Sequence, residues 1–372
     1  MRAISLKTNH LTAPVGIDAG PLFLSWQCAD GVRQTAYEIE LTVNDETVWH
    51  SGKVQSAAMH ADAPAVGGSR VRGCWRVRLW DENDVPGAWS EAHFETGLAQ
   101  SDWQGKWVDP ETEEIDIPGD DAINAFARPN WERKQAEKEA AGKGAAEPYK
   151  PHRPASYLRK VFTAPKSDAR LYITAKGLYV AWLNGVRVGD MVLAPGSFTG
   201  NKHLGAQTYD VTALLHEGEN DLLIALGDGW HRSTGGVDGD RDLFGDTLGV
   251  LFQLEVDGKP VCVSDSTVQA TQCGPIRQND MQQGEVYDAR LEGELTGWHG
   301  VRTYRDDLPI LGMNTVPILE HEAFPGKLLQ TPNGETVLDF GQNIAGYVEM
   351  TLTARCLLYT SDAADDLTRV DL

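Results

Sequence analysis

Hydrophobic and polar residues alternate with a period of two along much of the chain. In Thr35–Val43, Tyr37, Ile39, Leu41 and Val43 are interleaved with Glu38, Glu40 and Thr42. A strand sends successive side chains to opposite faces, so this pattern predicts a strand with one wet face and excludes a helix. Asn44-Asp45 then supplies a turn into Thr47–Trp49. Trp75, Val77 and Leu79 alternate with Arg76 and Arg78. A turn containing Pro and Gly (Asp81–Gly87) follows, then Trp89-Ser90 and Phe94. Short strands separated by turn signals predict a β-sandwich over residues 1–97.

The pattern changes over residues 98–155. Asp109–Asp121 is acidic and carries two prolines, and Trp131–Glu147 is rich in Ala, Glu and Lys with almost no apolar stripe. Pro148, Pro151 and Pro154 follow. This stretch reads as a solvated linker or insertion. A second β-rich block covers 156–312. Leu171–Thr174 predicts a strand. Val180–Leu183, Asn184-Gly185 and Val186–Val188 predict a hairpin, because Asn-Gly tolerates the positive φ of a type I′ turn. Leu222–Leu226 is an apolar run suited to a strand buried on both faces. Leu248–Val256, Asp257-Gly258 and Pro260–Val263 signal another hairpin. A third block, 313–354, has room for two or three strands, around Thr336–Phe340 and Tyr347–Thr353. That is too few for an independently stable sheet, so either these strands pack on the preceding domain or something is missing; if the chain is cut short here, the last strands should lack partners.

Composition changes this picture little. Of 372 residues, 41% are hydrophobic and 23% charged, ordinary for a folded protein. The formal net charge of −21 argues against nucleic acid or anionic lipid as a partner, since both need clustered Lys and Arg. Cys28, Cys74, Cys262, Cys273 and Cys356 are odd in number and not spaced as in a zinc site. They read as free thiols in a reducing, cytoplasmic compartment. Met1–His10 has no apolar core of a secretory signal, and no run of about 18 apolar residues predicts a membrane span.

Several segments resemble the N-terminal portion of bacterial α-L-rhamnosidases, a glycoside hydrolase family. In the first block these are Pro21–Trp26, Gln34–Ile39, Trp49–Val54, Trp75–Asp81 and Trp89-Ser90, similar in their order to a fibronectin-III-like opening domain. In the second they are Leu183–Asp190, Gln207–Thr212, Leu226–His231 and Gly284–Arg290, which resemble the family's jelly-roll β-sandwich. In the third, Val337–Gly346 is similar to the opening of a further sandwich that precedes the catalytic domain. The resemblance thus implies an all-β chain: a fibronectin-III-like sandwich, a jelly roll and the first strands of a third sandwich. It also implies hydrolysis of terminal α-L-rhamnosides with inversion, by one carboxylic acid and one carboxylate. In the family these lie in a downstream (α/α)₆ barrel, whose acidic motif does not occur here. No catalytic residue is therefore assigned, and the fragment alone is expected to be inactive, its catalytic domain missing in cis. Residues 355–372 do not resemble the family. They look like translated sequencing-adapter read-through, so a truncated gene with a foreign tail is expected.

Asp228, Trp230 and His231 are the candidate carbohydrate contacts. An aromatic ring can cover the apolar face of a sugar while an acid accepts from its hydroxyls. A loop packed for structural reasons is the weightier alternative. Asp238, Asp240, Asp242 and Asp246 form an acidic loop, but Gly249 stands where an EF-hand loop starting at Asp238 would need Glu. A solvated loop is favoured there. Glu285 and Asp288 could be a hydrolase carboxylate pair; Tyr287 and Arg290 make a structural network the better reading. His10, His50, His203 and His231 are scattered. No metal and no cofactor is expected. Two functions remain open beside a bracing scaffold: accessory domains of a hydrolase acting on a rhamnose-containing carbohydrate, or a free-standing carbohydrate-binding protein.

Overall fold

The computed structural model describes residues 1–115, 133, 136–142, 153–233, 242–282, 284–313, 315–349 and 368–369. Nearly every element in it is a strand. The first unit contains β1 (Arg2–Thr8), β2 (Val15–Ile17), β3 (Leu22–Ala29), β4 (Ala36–Val43), β5 (Glu46–His50), β6 (His60–Ala63), β7 (Arg72–Trp80) and β8 (Ser90–Thr96). They form two sheets, β1-β3-β6 and β2-β8-β7-β4-β5. The alternation seen in sequence becomes the two faces of the second sheet. Ile39 and Leu41 meet Val77 and Trp75 across the β4–β7 ladder, and all four are fully buried. On the opposite face Glu38 and Glu40 pair with Arg78 and Arg76, which leaves Glu38 buried and Glu40 half-buried. Asn44 and Asp45 both adopt positive φ between β4 and β5.

The second unit begins earlier than residue 156. β9 (Trp107–Asp109) lies within the predicted linker, yet it pairs with the centre of a sheet of this unit. Trp107 and Val108 are buried, which draws this short segment out of a stretch otherwise acidic and Pro-rich. The following strands are β10 (Ser156–Ala164), β11 (Ala169–Lys176), β12 (Leu178–Leu183), β13 (Val186–Arg187), β14 (Leu204–Asp210) and β15 (Gly218–Gly227). After the single-turn helix α1 (Gly229–Arg232) come β16 (Gly249–Val256), β17 (Lys259–Val263), β18 (Gln269–Thr271), β19 (Ile276–Asp280) and β20 (Gly284–Tyr287). β21 (His299–Gly300), β22 (Arg302–Tyr304) and β23 (Ile310–Gly312) complete the unit. Two sheets face each other: β13-β12-β15-β10-β18-β21, and β22-β9-β16-β11-β14-β23 with β17 joined to β16. Leu171, Ile173, Ile224, Leu226, Val250 and Phe252 fill the space between.

Both predicted hairpins of this unit form. Asn184-Gly185 and Asp257-Gly258 take positive φ at both central positions, as a type I′ turn requires. The expectation that Leu222–Leu226 is buried on both faces is corrected. Leu222, Ile224 and Leu226 are core residues, whereas Leu223 and Ala225 are only half-buried on the outer face of their sheet. The strand covered on both faces is β16, buried at all eight positions. Its outer residues Leu251 and Gln253 lie beneath the segment that links the two units, and Glu255 beneath Arg70 of the first unit.

Beyond β23 the described chain forms the hairpin β24 (Lys327–Gln330) and β25 (Thr336–Asp339). All eight residues are exposed. Leu328 opposes Leu338 on one face, and Leu329 opposes Val337 on the other. These strands have no covering layer among the described residues. β26 (Val348–Glu349) pairs in parallel with β27 (Thr368–Arg369), two residues of the predicted foreign tail. The rest of that tail, and most of the Ala/Glu/Lys-rich stretch, lie outside the described residues.

Candidate functional site

β15 ends at Gly227, and the chain turns sharply into α1. Gly229 sits at φ +52, where a Cβ would lie 2.5 Å from Leu178 Cγ and 2.8 Å from its backbone nitrogen. Only glycine allows this tight return over the start of β12. The single helical turn then brings residues four apart together. Arg232 donates through Nε and Nη2 to Asp228 Oδ1, at 2.8 and 2.6 Å. Asp228 is 1% exposed.

A second arginine enters from far away in sequence. Arg153 donates through Nη1 to the carbonyl of Arg232 at 2.9 Å and to Asp242 Oδ1 at 2.8 Å. Its Nε reaches Glu114 at 2.8 Å, and its Nη1 stands 3.7 Å from Asp228 Oδ2. Asn279 completes the frame, accepting from the Asp228 amide at 2.6 Å and donating to the Arg153 carbonyl at 2.8 Å. Burial pushes the Asp228 carboxyl above the usual range, and the two guanidiniums pull it back. Asp228 Oδ2 and His231 Nδ1 are buried with no hydrogen-bond partner among the described residues.

His231 is also buried, its ring tilted against Phe244 at 6.5 Å. Burial, with the nearby charge of Lys176 and Arg232, holds the pKa of its imidazole down at about 4. Trp230 is half-buried. Two positions along a helix turn a side chain by roughly 200°, so Trp230 does not share the face of Asp228 and Arg232. The three candidate sugar contacts are thus adjacent in sequence but occupy different surroundings. The sequence singled out Asp242 only as part of an acidic loop, and Arg153, Arg232 and Asn279 not at all. Arg232 carries a visible signal, its i,i+4 spacing from Asp228; Arg153, 89 residues from Asp242, carries none.

The other candidates separate. Asp242 is committed to Arg153, and Asp246 accepts from Thr247 Oγ1 at 3.1 Å; Asp238 and Asp240 lie outside the described residues. Among the described residues no three His, Cys, Asp or Glu side chains cluster to hold a metal. Asp288 takes both Nε and Nη2 of Arg290 at 2.7 Å, and Tyr287 donates to Glu292 at 2.9 Å. His10 packs on Phe23, His50 bonds Glu38, and His203 meets Phe198. No described helix is long and apolar enough to cross a membrane.

Comparison with known proteins gives these two units a family. Residues 3–100 match the model of the Rha78A-like N-terminal immunoglobulin domain. Residues 164–324 match that of the α-L-rhamnosidase N-terminal domain. An α-L-rhamnosidase of Formosa agariphila is 35% identical over 318 residues, which is 77% of this chain and 31% of that protein. The crystal structure of an α-L-rhamnosidase from Aspergillus terreus superposes with a TM-score of 0.72 at 28% identity, over 92% of this chain and 39% of that one. The Streptomyces avermitilis enzyme, complexed with L-rhamnose, shares the fold at a TM-score of 0.70 and 24% identity, over 92% and 49%. The chain thus spans between about a third and a half of the length of these relatives. It belongs to the α-L-rhamnosidase family, of which it carries the N-terminal, all-β portion.

Proposed function

We propose that this chain supplies accessory, non-catalytic β-domains to an enzyme that hydrolyses terminal α-L-rhamnosides with inversion. One observation carries the reading. The five buried carboxylates among the described residues, Glu38, Glu95, Asp109, Asp228 and Glu255, are each paired with arginine: Arg78, Arg170, Arg302, Arg232 and Arg70. Inverting hydrolysis needs one carboxyl kept protonated beside the glycosidic oxygen and a second positioned for water on the opposite side of the ring. A carboxylate whose oxygens are taken up by a neighbouring guanidinium is not placed to give a proton to a glycosidic oxygen or to align a water. Asp228, whose carboxyl burial leaves above the usual range despite its arginines, is closed off from solvent. The rhamnoside itself is inferred from the relatives, one of which was crystallised with L-rhamnose. The test is incubation of the purified chain with an aryl α-L-rhamnoside. No turnover is expected; saturable turnover abolished by Asp228→Asn would overturn the reading.

A second reading, sugar binding by the second sandwich at Asp228, Trp230 and His231, is favoured by the buried atoms without a hydrogen bond among the described residues, Asp228 Oδ2 and His231 Nδ1, on the residues that flank Trp230 in sequence. It is tested by calorimetry with L-rhamnose. Heat that disappears in Trp230→Ala supports it, and no heat with the unmodified chain leaves only the bracing role.

A further inference from the structure

Part of the outer face of the sheet β22-β9-β16-β11-β14-β23, beside the apolar cluster of Trp107, Leu204, Leu251 and Ile310, is polar although covered. Tyr172 on β11 is 1% exposed, Gln253 and Glu255 on β16 are 0% and 2%, and Thr208 on β14 is 9%. What covers them comes from the first unit and the segment after it. Arg70 forks onto Glu255, Nε to Oε2 and Nη2 to Oε1, both at 2.5 Å. Its Nη1 reaches Asp102 at 3.3 Å. Gln253 accepts from the Gln104 amide at 2.7 Å and donates to the Asp102 carbonyl at 3.2 Å. Arg170, on β11, donates to both oxygens of Glu95 on β8, at 3.0 Å from Nε to Oε1 and 3.0 Å from Nη2 to Oε2. Arg72 joins the same Glu95 at 3.2 Å and also pairs with Asp168. A cavity of about 240 Å³ lies among these groups, large enough for several waters.

A second contact lies at the far edge of the same sheet. β23 pairs in parallel with β14, Ile310 opposite Leu204 and Gly312 opposite Ala206. The end of this strand also bonds backwards to the first unit. The Gly312 amide donates to Asp18 Oδ1 at 2.5 Å, and the Met313 amide to the Gly16 carbonyl at 3.2 Å. The Ile310 amide donates to Gln100 Oε1 at 2.9 Å. A Cβ on Gly312 would lie 2.6 Å from the Gly16 carbonyl oxygen and from backbone atoms of Ile17 and Asp18. Only glycine permits β2 and β23 to approach so closely.

We propose that the two sandwiches form one mechanical unit, in which the first sandwich clamps β23 and so fixes the direction in which the chain leaves the second. The domains of many chains touch over small, polar surfaces and move freely. Here the contact joins forked arginine–carboxylate pairs to a backbone latch at the exit. This inference is independent of the rhamnoside reading. Its consequence is that the first sandwich acts at a distance, orienting the chain that follows residue 313.

The experiment is calorimetry of the full chain together with hydrogen exchange at Gly312. At low salt the two sandwiches are expected to unfold in one transition. The Gly312 amide is expected to exchange as slowly as the amides of β11. Arg70→Met/Glu255→Met, which removes both charges and keeps the volume, should split that transition in two. Asp18→Ala should speed exchange at Gly312 at least tenfold and leave β11 unchanged. Two separate transitions in the unmodified chain, or a Gly312 amide exchanging as fast as an exposed loop, would overturn the proposal whether or not the variants fold.

Discussion

Asp228 gives one carboxylate oxygen to both donors of Arg232, at 2.8 and 2.6 Å, and leaves the other without a hydrogen bond among the described residues. Arg153 stands behind it at 3.7 Å. Asp228 is thus the counter-ion that lets two guanidiniums be buried beside β15. Removing one partner of a buried ion pair strands the remaining charge, which costs about 3–5 kcal/mol. Asp228→Ala is therefore expected to lower the stability measured by urea unfolding by that amount. Asp228→Asn, which keeps an acceptor, should cost less. A loss under about 1 kcal/mol for the alanine variant would show that the cluster is not held by this charge.

His231 sets a pH limit on the same region. Its imidazole titrates at about 4 in the folded chain, against about 6.5 when unfolded. Above pH 6.5 it is neutral in both states and costs nothing. Between about pH 6.5 and 4 the unfolded chain takes up a proton that the folded chain refuses, so stability falls as pH falls. A tenfold difference in proton affinity between the two states is worth about 1.36 kcal/mol, which bounds the effect near ~3 kcal/mol. His231→Gln should flatten this part of the stability–pH curve. The check is denaturant unfolding of both proteins at pH 7, 5.5 and 4; parallel curves would exclude His231 as the source.

Strands with one wet face were readable because period two survives in the residues themselves. Ile39 and Leu41 against Glu38 and Glu40 needed no partner to be recognised. The Asn-Asp, Asn-Gly and Asp-Gly turns were readable because their φ requirement is local. What failed was information held in distant chain. Five apolar residues at Leu222–Leu226 do not say that Leu223 and Ala225 remain half-exposed. β9 spans only three residues, and its place is given by β16, far downstream. For the candidate site, Asp228 was found as an acid beside an aromatic residue. Its true neighbours, Arg153 and Asn279, arrive from other parts of the chain and leave no periodic trace.

The thiols differ enough to be ordered chemically. Cys262 is 3% exposed, and burial pushes its thiol up to about 12. Cys273 is exposed. Thiolate, not thiol, reacts, so Cys273 should alkylate in the native chain at pH 8 while Cys262 waits for unfolding. Peptide mapping after a brief iodoacetamide pulse tests this. Early label on Cys262 would mean that the second sandwich opens locally around β17.

Leu328 and Leu338 on one face of the terminal hairpin, and Leu329 and Val337 on the other, leave apolar surface open on both sides. Leu328 is 71% exposed. A core leucine cut back to alanine costs about 2–5 kcal/mol, whereas an exposed one contributes little. Leu328→Glu should therefore change the stability by less than about 0.5 kcal/mol. It should also reduce binding of a hydrophobic dye and self-association at high concentration, since an open apolar hairpin is a template for pairing with another chain. Dye titration and light scattering on the two proteins check both effects. A loss of about 2 kcal/mol or more, the range of a core leucine, would show instead that Leu328 is buried in solution, with the hairpin packed onto a layer of its own chain.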